Sequence, residues 1–259
     1  MGTRTNYTPG TFSWTDLTTT DQDAAKAFYG KLFGWESVDF PVGEGVVYSM
    51  MRLGEADVAA ISPQPQQQRD AGVPPAWNSY ITVESADAAL ERARQLGAEA
   101  HADAFDVMTS GRMGVIQDPQ GAYFLVWEPR DHAGAGLVNT PGTLSWNELA
   151  SPDIEASAQF YSELFDWTVE LIGESPMPYM TVRNRDGWLN GGIRPVMGPE
   201  PPYWAVYFGT DDLEASTRRV GELGGEKLAG PIELGPGRVT YVRDAEGAVF
   251  ILHSGRFDD

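Results

Sequence analysis

Pro9-Gly-Thr-Phe-Ser-Trp14-Thr-Asp16-Leu17 returns 132 residues later as Pro141-Gly-Thr-Leu-Ser-Trp146-Asn-Glu148-Leu149. At the same offset Phe28-Tyr29 recurs as Phe160-Tyr161, and Leu32-Phe33-Gly34-Trp35 as Leu164-Phe165-Asp166-Trp167. Further on, Trp77-Asn-Ser-Tyr80 answers Trp204-Ala-Val-Tyr207 at an offset of 127, and Gly111-Arg112, Asp118, Gly121 and Phe124 answer Gly237-Arg238, Asp244, Gly247 and Phe250 at 126. Order held over this length is the mark of duplication, and a repeat fixes the architecture before any single element does. The join falls in the small-residue stretch Asp131-His-Ala-Gly-Ala-Gly-Leu-Val-Asn139, which reads as a linker. Two domains are therefore expected, over residues 1–131 and 132–259.

Within the first half, Thr11 to Leu17 reads as a strand. Asp21 caps a helix whose apolar positions, Ala24, Ala25, Phe28, Leu32 and Phe33, keep helical spacing, and Gly34 stops it. Val46 to Leu53 and Val58 to Ile61 read as strands, and Ser62 to Pro75 as a loop. The pattern restarts with a strand at Asn78 to Val83, a helix from Ala86 to Leu96 capped by Ser85, and strands at Arg112 to Gln117 and Tyr123 to Trp127 around the turn Asp118-Pro-Gln-Gly121. Each half is βαβββ twice, so the chain is α+β and holds four such modules. A doubly wound nucleotide fold would need a helix after each parallel strand and a Gly-rich phosphate loop, and neither is present.

The chain of 259 residues is 42% hydrophobic and carries a net charge of −19. A phosphate backbone would be repelled by such a surface, so nucleic acid is not an expected partner. No apolar run approaches a membrane span, and Met1 to Gly10 has no apolar signal core, so no membrane role and a cytoplasmic location are expected. Zero cysteines exclude disulfides, thiol nucleophiles and thiolate metal sites.

The Phe28-Tyr29…Leu32-Phe33-Gly34-Trp35 helix and the late Asp118-Pro-Gln-Gly121 turn, in this order and in both halves, resemble the vicinal-oxygen-chelate superfamily of glyoxalases, bleomycin-resistance proteins and extradiol dioxygenases. The resemblance spans nearly the whole chain. It is strongest to tandem two-domain actinobacterial members variously labelled hydroxylases, glyoxalase-like proteins or Ser/Thr-kinase inhibitor homologues. It implies curled mixed sheets around cavities, one per half. Metal-dependent members hold a divalent ion with His, Glu or Gln from four strands. The first ligand position, fourteen residues before the Phe of the helix motif, holds Trp14 and Trp146 here. The second lies within Val58 to Ile61 and Leu189 to Ile193, which contain no carboxylate or histidine. The third matches Asn78 and Ala205, and the fourth Leu125 and Ile251. Indole, leucine and isoleucine offer a cation no lone pair. The three histidines, His101, His132 and His253, lack ligand-like spacing. No metal and no cofactor are expected.

Strand parity from the ligand positions gives the inward-facing candidates. They are Phe12, Trp14 and Asp16, with Leu144, Trp146 and Glu148 in the repeat; Asn78, Tyr80 and Thr82, with Ala205, Tyr207 and Gly209; and Tyr123, Leu125 and Trp127, with Val249, Ile251 and His253. Aromatic walls suit a flat apolar ligand. Phe12, Trp14, Asn78, Tyr80, Tyr123, Trp127, Trp146 and Tyr207 are the expected ligand-binding residues. Against this, Trp14 and Trp146 could simply plug the old metal cavity. Asp16 and Glu148 are candidate catalytic acids or bases beside indole, or solvated strand ends. His253 is a third catalytic candidate, or an exposed histidine. Arg112 and Arg238 read as anion clamps or as salt-bridged turn residues. Trp77 and Trp204, of opposite parity, read as core or inter-domain packing.

Three functions fit these residues. The first is metal-free binding of a small aromatic or apolar metabolite, for sequestration, resistance or carriage. The second is a metal-independent enzyme, an isomerase, lyase or hydroxylase of secondary or aldehyde metabolism. The third is a regulatory protein that binds a Ser/Thr kinase. A fused pair brings both halves in one chain, so monomer and homodimer are both open.

Overall fold

The same local signals build both halves. Asp21 accepts from the Ala24 N–H at 2.9 Å and starts helix α1 (Gln22–Phe33), which ends at Gly34 in the left-handed region, φ 76°. Asp153 starts α4 (Ile154–Phe165) in the same way, and Asp166 ends it with φ 57°. The computed structural model describes residues 2–43, 45–172, 178–234 and 237–256.

In the first half, β1 (Phe12–Thr19), α1, β2 (Glu36–Gly43), β3 (Val46–Leu53) and β4 (Ala56–Pro63) make one module. A five-residue helix, α2 (Gln66–Asp70), stands where the sequence suggests only loop. Then β5 (Ala76–Thr82), α3 (Ala86–Gln95), β6 (Phe105–Val107), β7 (Gly111–Gln117) and β8 (Tyr123–Pro129) make the second module. Their sheet has the order β2-β3-β4-β1-β5-β8-β7-β6. The second half repeats it with β9 (Leu144–Ser151), α4, β10 (Thr168–Ile172), β11 (Tyr179–Arg183), β12 (Leu189–Pro195), β13 (Tyr203–Gly209), α5 (Leu213–Glu222), β14 (Glu226–Leu234), β15 (Gly237–Arg243) and β16 (Val249–Gly255). Its order is β10-β11-β12-β9-β13-β16-β15-β14. In each sheet the two modules meet at an antiparallel central pair, β1 with β5 and β9 with β13. Each central strand also has a parallel neighbour from its own module. The result is the expected α+β tandem of curled mixed sheets.

The helices do not pack only within their own half. One core cluster joins Tyr29, Trp35 and Trp77 to Phe208 and Phe250; another joins Phe12, Leu90 and Phe124 to Tyr161, Phe165 and Trp204. Trp77 meets Phe208 at 4.9 Å between ring centroids, and Phe12 meets Trp204 at 4.8 Å. The paired tryptophans thus serve inter-domain packing. Hydrogen bonds repeat the exchange. Trp204 donates its indole N–H to the Tyr161 hydroxyl at 2.8 Å, and Tyr161 donates to Asp118 Oδ2 at 2.8 Å. In the mirror copy Trp77 donates to Tyr29 at 3.0 Å and Tyr29 to Asp244 at 2.9 Å. Asp118 Oδ1 also accepts from the N–H groups of Gln120 and Ala122, both at 2.9 Å. The late turn aspartates therefore shape their own turn and bind the first helix of the other half.

Candidate functional site

The central strands β1 and β9 each carry a β-bulge. Phe12 pairs with Ile81 and Trp14 with Tyr80, which leaves Ser13 as the extra residue. Ser145 is its counterpart between Leu144 and Trp146. A bulge inverts the parity of what precedes it. Phe12 is therefore turned away from Trp14, against Trp167 and Trp204, which corrects the expectation that it shares the inward face.

In the first concavity Trp14 is 3% exposed and donates its indole N–H to Tyr48 Oη at 3.0 Å. Asp16 is buried beside it and accepts from Asn78 Nδ2 at 2.8 Å, Tyr80 Oη at 2.7 Å and Tyr48 Oη at 3.3 Å. Burial raises the Asp16 carboxyl above its ordinary range, and the three donors only partly offset it. Burial, then the Asp16 charge, pushes Tyr48 and Tyr80 far up, so both remain protonated donors.

The linker closes this concavity. The His132 ring stands edge-on to Trp14 at 4.6 Å between centroids, and its carbonyl accepts from Trp127 Nε1 at 2.9 Å. Burial holds the imidazole below its usual value, in the neutral form. Ala135 N–H then reaches the Ser13 carbonyl and Gly136 N–H the Asp57 carbonyl, both at 2.8 Å, while Tyr7 donates to the Ala135 carbonyl at 2.7 Å. Gly134, with φ 127°, is required there, because a Cβ would lie 2.5 Å from the Ser13 carbonyl oxygen.

The second concavity repeats the plan with different charge. Trp146 is only half-buried and donates to Tyr179 Oη at 3.0 Å. Glu148 is buried, and its Oε1 accepts from Arg194 Nε at 2.8 Å and from Tyr241 Oη at 3.2 Å. Arg194 continues to Glu200 at 2.5 Å. Burial by itself would lower the guanidinium; the Glu200 hydrogen bond and the Glu148 charge outweigh it, so the group stays cationic. Burial and then Glu148 push Tyr179 and Tyr207 far up as well. His253 sits half-buried, with Nδ1 3.4 Å from Ser145 Oγ and its ring edge-on to Tyr207 at 6.4 Å.

Where the linker lies in the first half, the second half has a cleft of about 440 Å³. Ser145, Trp146, Trp188, Leu189 and Asn139 line it, the counterparts of Ser13, Trp14, Ala56, Asp57 and Tyr7. The other wall is the N-terminal segment of the first half, Arg4, Asn6, Tyr7 and Thr8, with Thr11 and Phe12. Trp188 is 61% exposed, so the cleft presents an indole that no other described residue covers.

Of the expected residues, Trp14, Asp16, Asn78, Tyr80 and Trp127 converge in the first concavity, and Trp146, Glu148, Tyr207 and His253 in the second. Phe12 reaches the cleft from behind. Tyr123 joins neither: it is half-exposed and stacks on His101 at 5.9 Å. Asp16 and Glu148 are buried, which removes the solvated-end reading. Arg112 pairs with Asp87 and Asp106, and Arg238 with Glu214 and Glu233, so both are salt-bridged. Sequence parity missed Tyr48, Tyr179, Arg194, Tyr241, Trp188 and His132. The near-repeat of Tyr48 at Tyr179, offset 131, is the signal that could have found two of them.

Asp16 yields a prediction. Among the described residues no cation pairs with it, so its burial costs stability when it is ionised. A folded-state pKa above the unfolded value means that stability is lost as pH rises through the folded pKa and is recovered on acidification. Asp16→Asn is isosteric, and Asn78 can rotate its amide to complement it. The variant should be about 1 kcal/mol more stable than wild type at pH 7, and the gap should narrow toward pH 4. Urea midpoints at both pH values check this; an equal or wider gap at low pH would contradict it.

A sequence profile of the Glyoxalase/Bleomycin resistance protein/Dioxygenase superfamily matches residues 11–126 and 143–252. The chain belongs to this superfamily. Among its relatives, "Putative glyoxylase CFP32" of Mycobacterium tuberculosis is 39% identical over 253 residues, covering 96% of this chain and 97% of that protein. "Anthracycline biosynthesis protein DnrV" of Streptomyces peucetius is 30% identical over 264 residues, covering 95% and 94%. Solved structures share the fold at low identity. The Mn(II)-bound glyoxalase of Novosphingobium aromaticivorans has TM-score 0.66 at 18% identity, over 97% of this chain and 85% of that one. The 2,2',3-trihydroxybiphenyl 1,2-dioxygenase of Sphingomonas wittichii has TM-score 0.67 at 10%, over 97% and 92%. Superfamily members bind small molecules. The strand positions matched to the ligands of metal-dependent members hold Trp14, Asn78 and Leu125 in the first half and Trp146, Ala205 and Ile251 in the second, of which only Asn78 carries a side-chain oxygen. Among the described residues no three His, Asp or Glu side chains gather to hold one. No helix of the described residues is long and apolar enough to cross a membrane.

Proposed function

We propose that this chain binds one small, flat aromatic metabolite without a metal ion, in the cleft at the mouth of the second concavity, as a carrier or sequestering protein. The observation that carries the reading is the contrast between the halves: the linker fills the groove over Trp14, while among the described residues none fills the same groove over Trp146, which Trp188 walls. Indole faces stack on planar rings, and a cleft of about 440 Å³ accommodates a fused-ring compound. DnrV is named for anthracycline biosynthesis, and an aromatic polyketide is the same chemical class of ligand. The carboxylates favour binding over acid–base chemistry. Asp16 lies under the linker, and Glu148 is tied up in an ion pair with Arg194 and a hydrogen bond from Tyr241.

An anthraquinone chromophore titrated into the protein should quench tryptophan fluorescence and saturate at one equivalent. Trp146→Ala should weaken that binding about tenfold or more, a loss of at least about 1.4 kcal/mol. Affinity unchanged by Trp146→Ala, and unchanged again by Trp188→Ala, would overturn the site. Stoichiometric iron, manganese, nickel or zinc in elemental analysis, with binding lost on chelation, would overturn the metal-free reading.

A further inference from the structure

The duplication also diverged on the convex side of the second sheet, away from both concavities. In the first half Leu90 of α3 packs onto Gly114 of β7 so closely that a Cβ there would lie 2.1 Å from the leucine Cδ1. The equivalent pair in the second half is Thr217 of α5 and Thr240 of β15. Thr217 turns its hydroxyl back to the Leu213 carbonyl at 2.6 Å and fills less space than leucine. A pocket of about 420 Å³ results between α5 and the β14–β15 hairpin, lined in part by Leu213, Gly221 and Pro231.

Two features of this pocket point to a ligand. Thr240 is 1% exposed, and among the described residues its hydroxyl has no hydrogen-bond partner. A buried hydroxyl left unpaired is costly, and such groups call for an explanation. Arg218 and Lys227 also line the pocket, and among the described residues neither makes an ion pair or a side-chain hydrogen bond. Two unpaired cations beside one pocket are conspicuous in a chain with 37 acidic and 18 basic residues. The one carboxylate at the rim, Glu214, is engaged by Arg238.

We propose that this pocket is a second ligand site, for a small organic anion with an apolar body. The anionic head lies between Arg218 and Lys227, the body covers Leu213 and Pro231, and the Thr240 hydroxyl hydrogen-bonds a second polar atom of the ligand. The site is independent of the cleft over Trp146.

The test uses 8-anilinonaphthalene-1-sulfonate, which carries a sulfonate, an N–H and apolar rings, with decanoate as competitor. The probe should bind one equivalent at this site and be displaced by decanoate. Arg218→Glu with Lys227→Glu, a surface change, should weaken it about tenfold or more and abolish its salt dependence. Thr217→Leu with Thr240→Gly, which rebuilds the packing of the first half, should remove it, and Thr240→Val should weaken it a few-fold. Trp146→Ala should leave it intact. The proposal fails if the probe binds the charge-reversed protein as tightly as wild type, or if decanol competes as well as decanoate. It fails equally if Trp146→Ala is the change that abolishes binding, since the probe would then occupy the cleft.

Discussion

Produced separately, residues 1–139 and 140–259 are each expected to lack a cooperative unfolding transition, and to regain one when mixed. A domain of this size ordinarily folds alone, so the expectation rests on where the cores lie. Without the second half, Tyr29, Trp35 and Trp77 lose Phe208 and Phe250. Without the first, Tyr161, Phe165 and Trp204 lose Phe12 and Phe124. Each half would then expose a large aromatic surface at roughly 25 cal/mol per Å². It would also strand a buried indole donor, since Trp35 donates to the Gly142 carbonyl at 2.7 Å and Trp167 to the Gly10 carbonyl at 2.6 Å. Near-ultraviolet circular dichroism and thermal melts of each fragment and of the mixture decide it. A sharp melt from either fragment alone would show that the exchanged packing is dispensable.

Tyr161→Phe should cost about 3 kcal/mol, an unusually large effect for one oxygen atom. That hydroxyl accepts from Trp204 and donates to Asp118, both at 2.8 Å, in a fully buried position. Removing it orphans an indole N–H and a carboxylate oxygen together. Burial already raises the Asp118 carboxyl, and the Tyr161 hydrogen bond is the chief influence lowering it. Without that bond the folded-state pKa moves further up. The variant's deficit should therefore be largest at neutral pH and shrink as acidification protonates Asp118. The single unfolding transition should shift as a whole, because the bond joins the two halves. Denaturant curves at pH 7 and pH 5 test both points; a deficit under about 1 kcal/mol, or one that grows on acidification, would show that the bond contributes little.

Much of this fold was legible in the residues. Repeated segments set the tandem, Asp21 and Ser85 set helix starts, and glycine-flanked turns set the hairpins. The strands β2 and β6 escaped notice because they are sheet edges: Glu36–Gly43 is almost wholly exposed and contains Pro41, so it has no buried face to create an alternation. The site was legible where parity held, at Trp14, Asp16, Asn78 and Tyr80. It failed at Phe12 because one bulged residue inverts the face of everything before it, and a bulge has no side-chain signature here. Arg194, Tyr241 and Trp188 were missed for another reason. They converge through register between strands distant in sequence, which periodicity within one strand does not encode. The linker was read only as a small-residue join between the halves. Its contact with Trp14 depends on His132 and on the close approach of Gly134, which tertiary packing alone reveals.

A chain built from two copies of one receptor would ordinarily take two equivalents of ligand, and the copies could sense each other's occupancy. The segment from His132 to Gly136 changes that arithmetic. It is a permanently tethered occupant of one copy, present at an effective concentration that no free metabolite matches. The aromatic cleft should therefore behave as a single-site receptor with a hyperbolic isotherm and a Hill coefficient of one. On the proposed function, duplication supplies a packing partner for the half that binds, and the covalent joint that made the duplication possible fills the other.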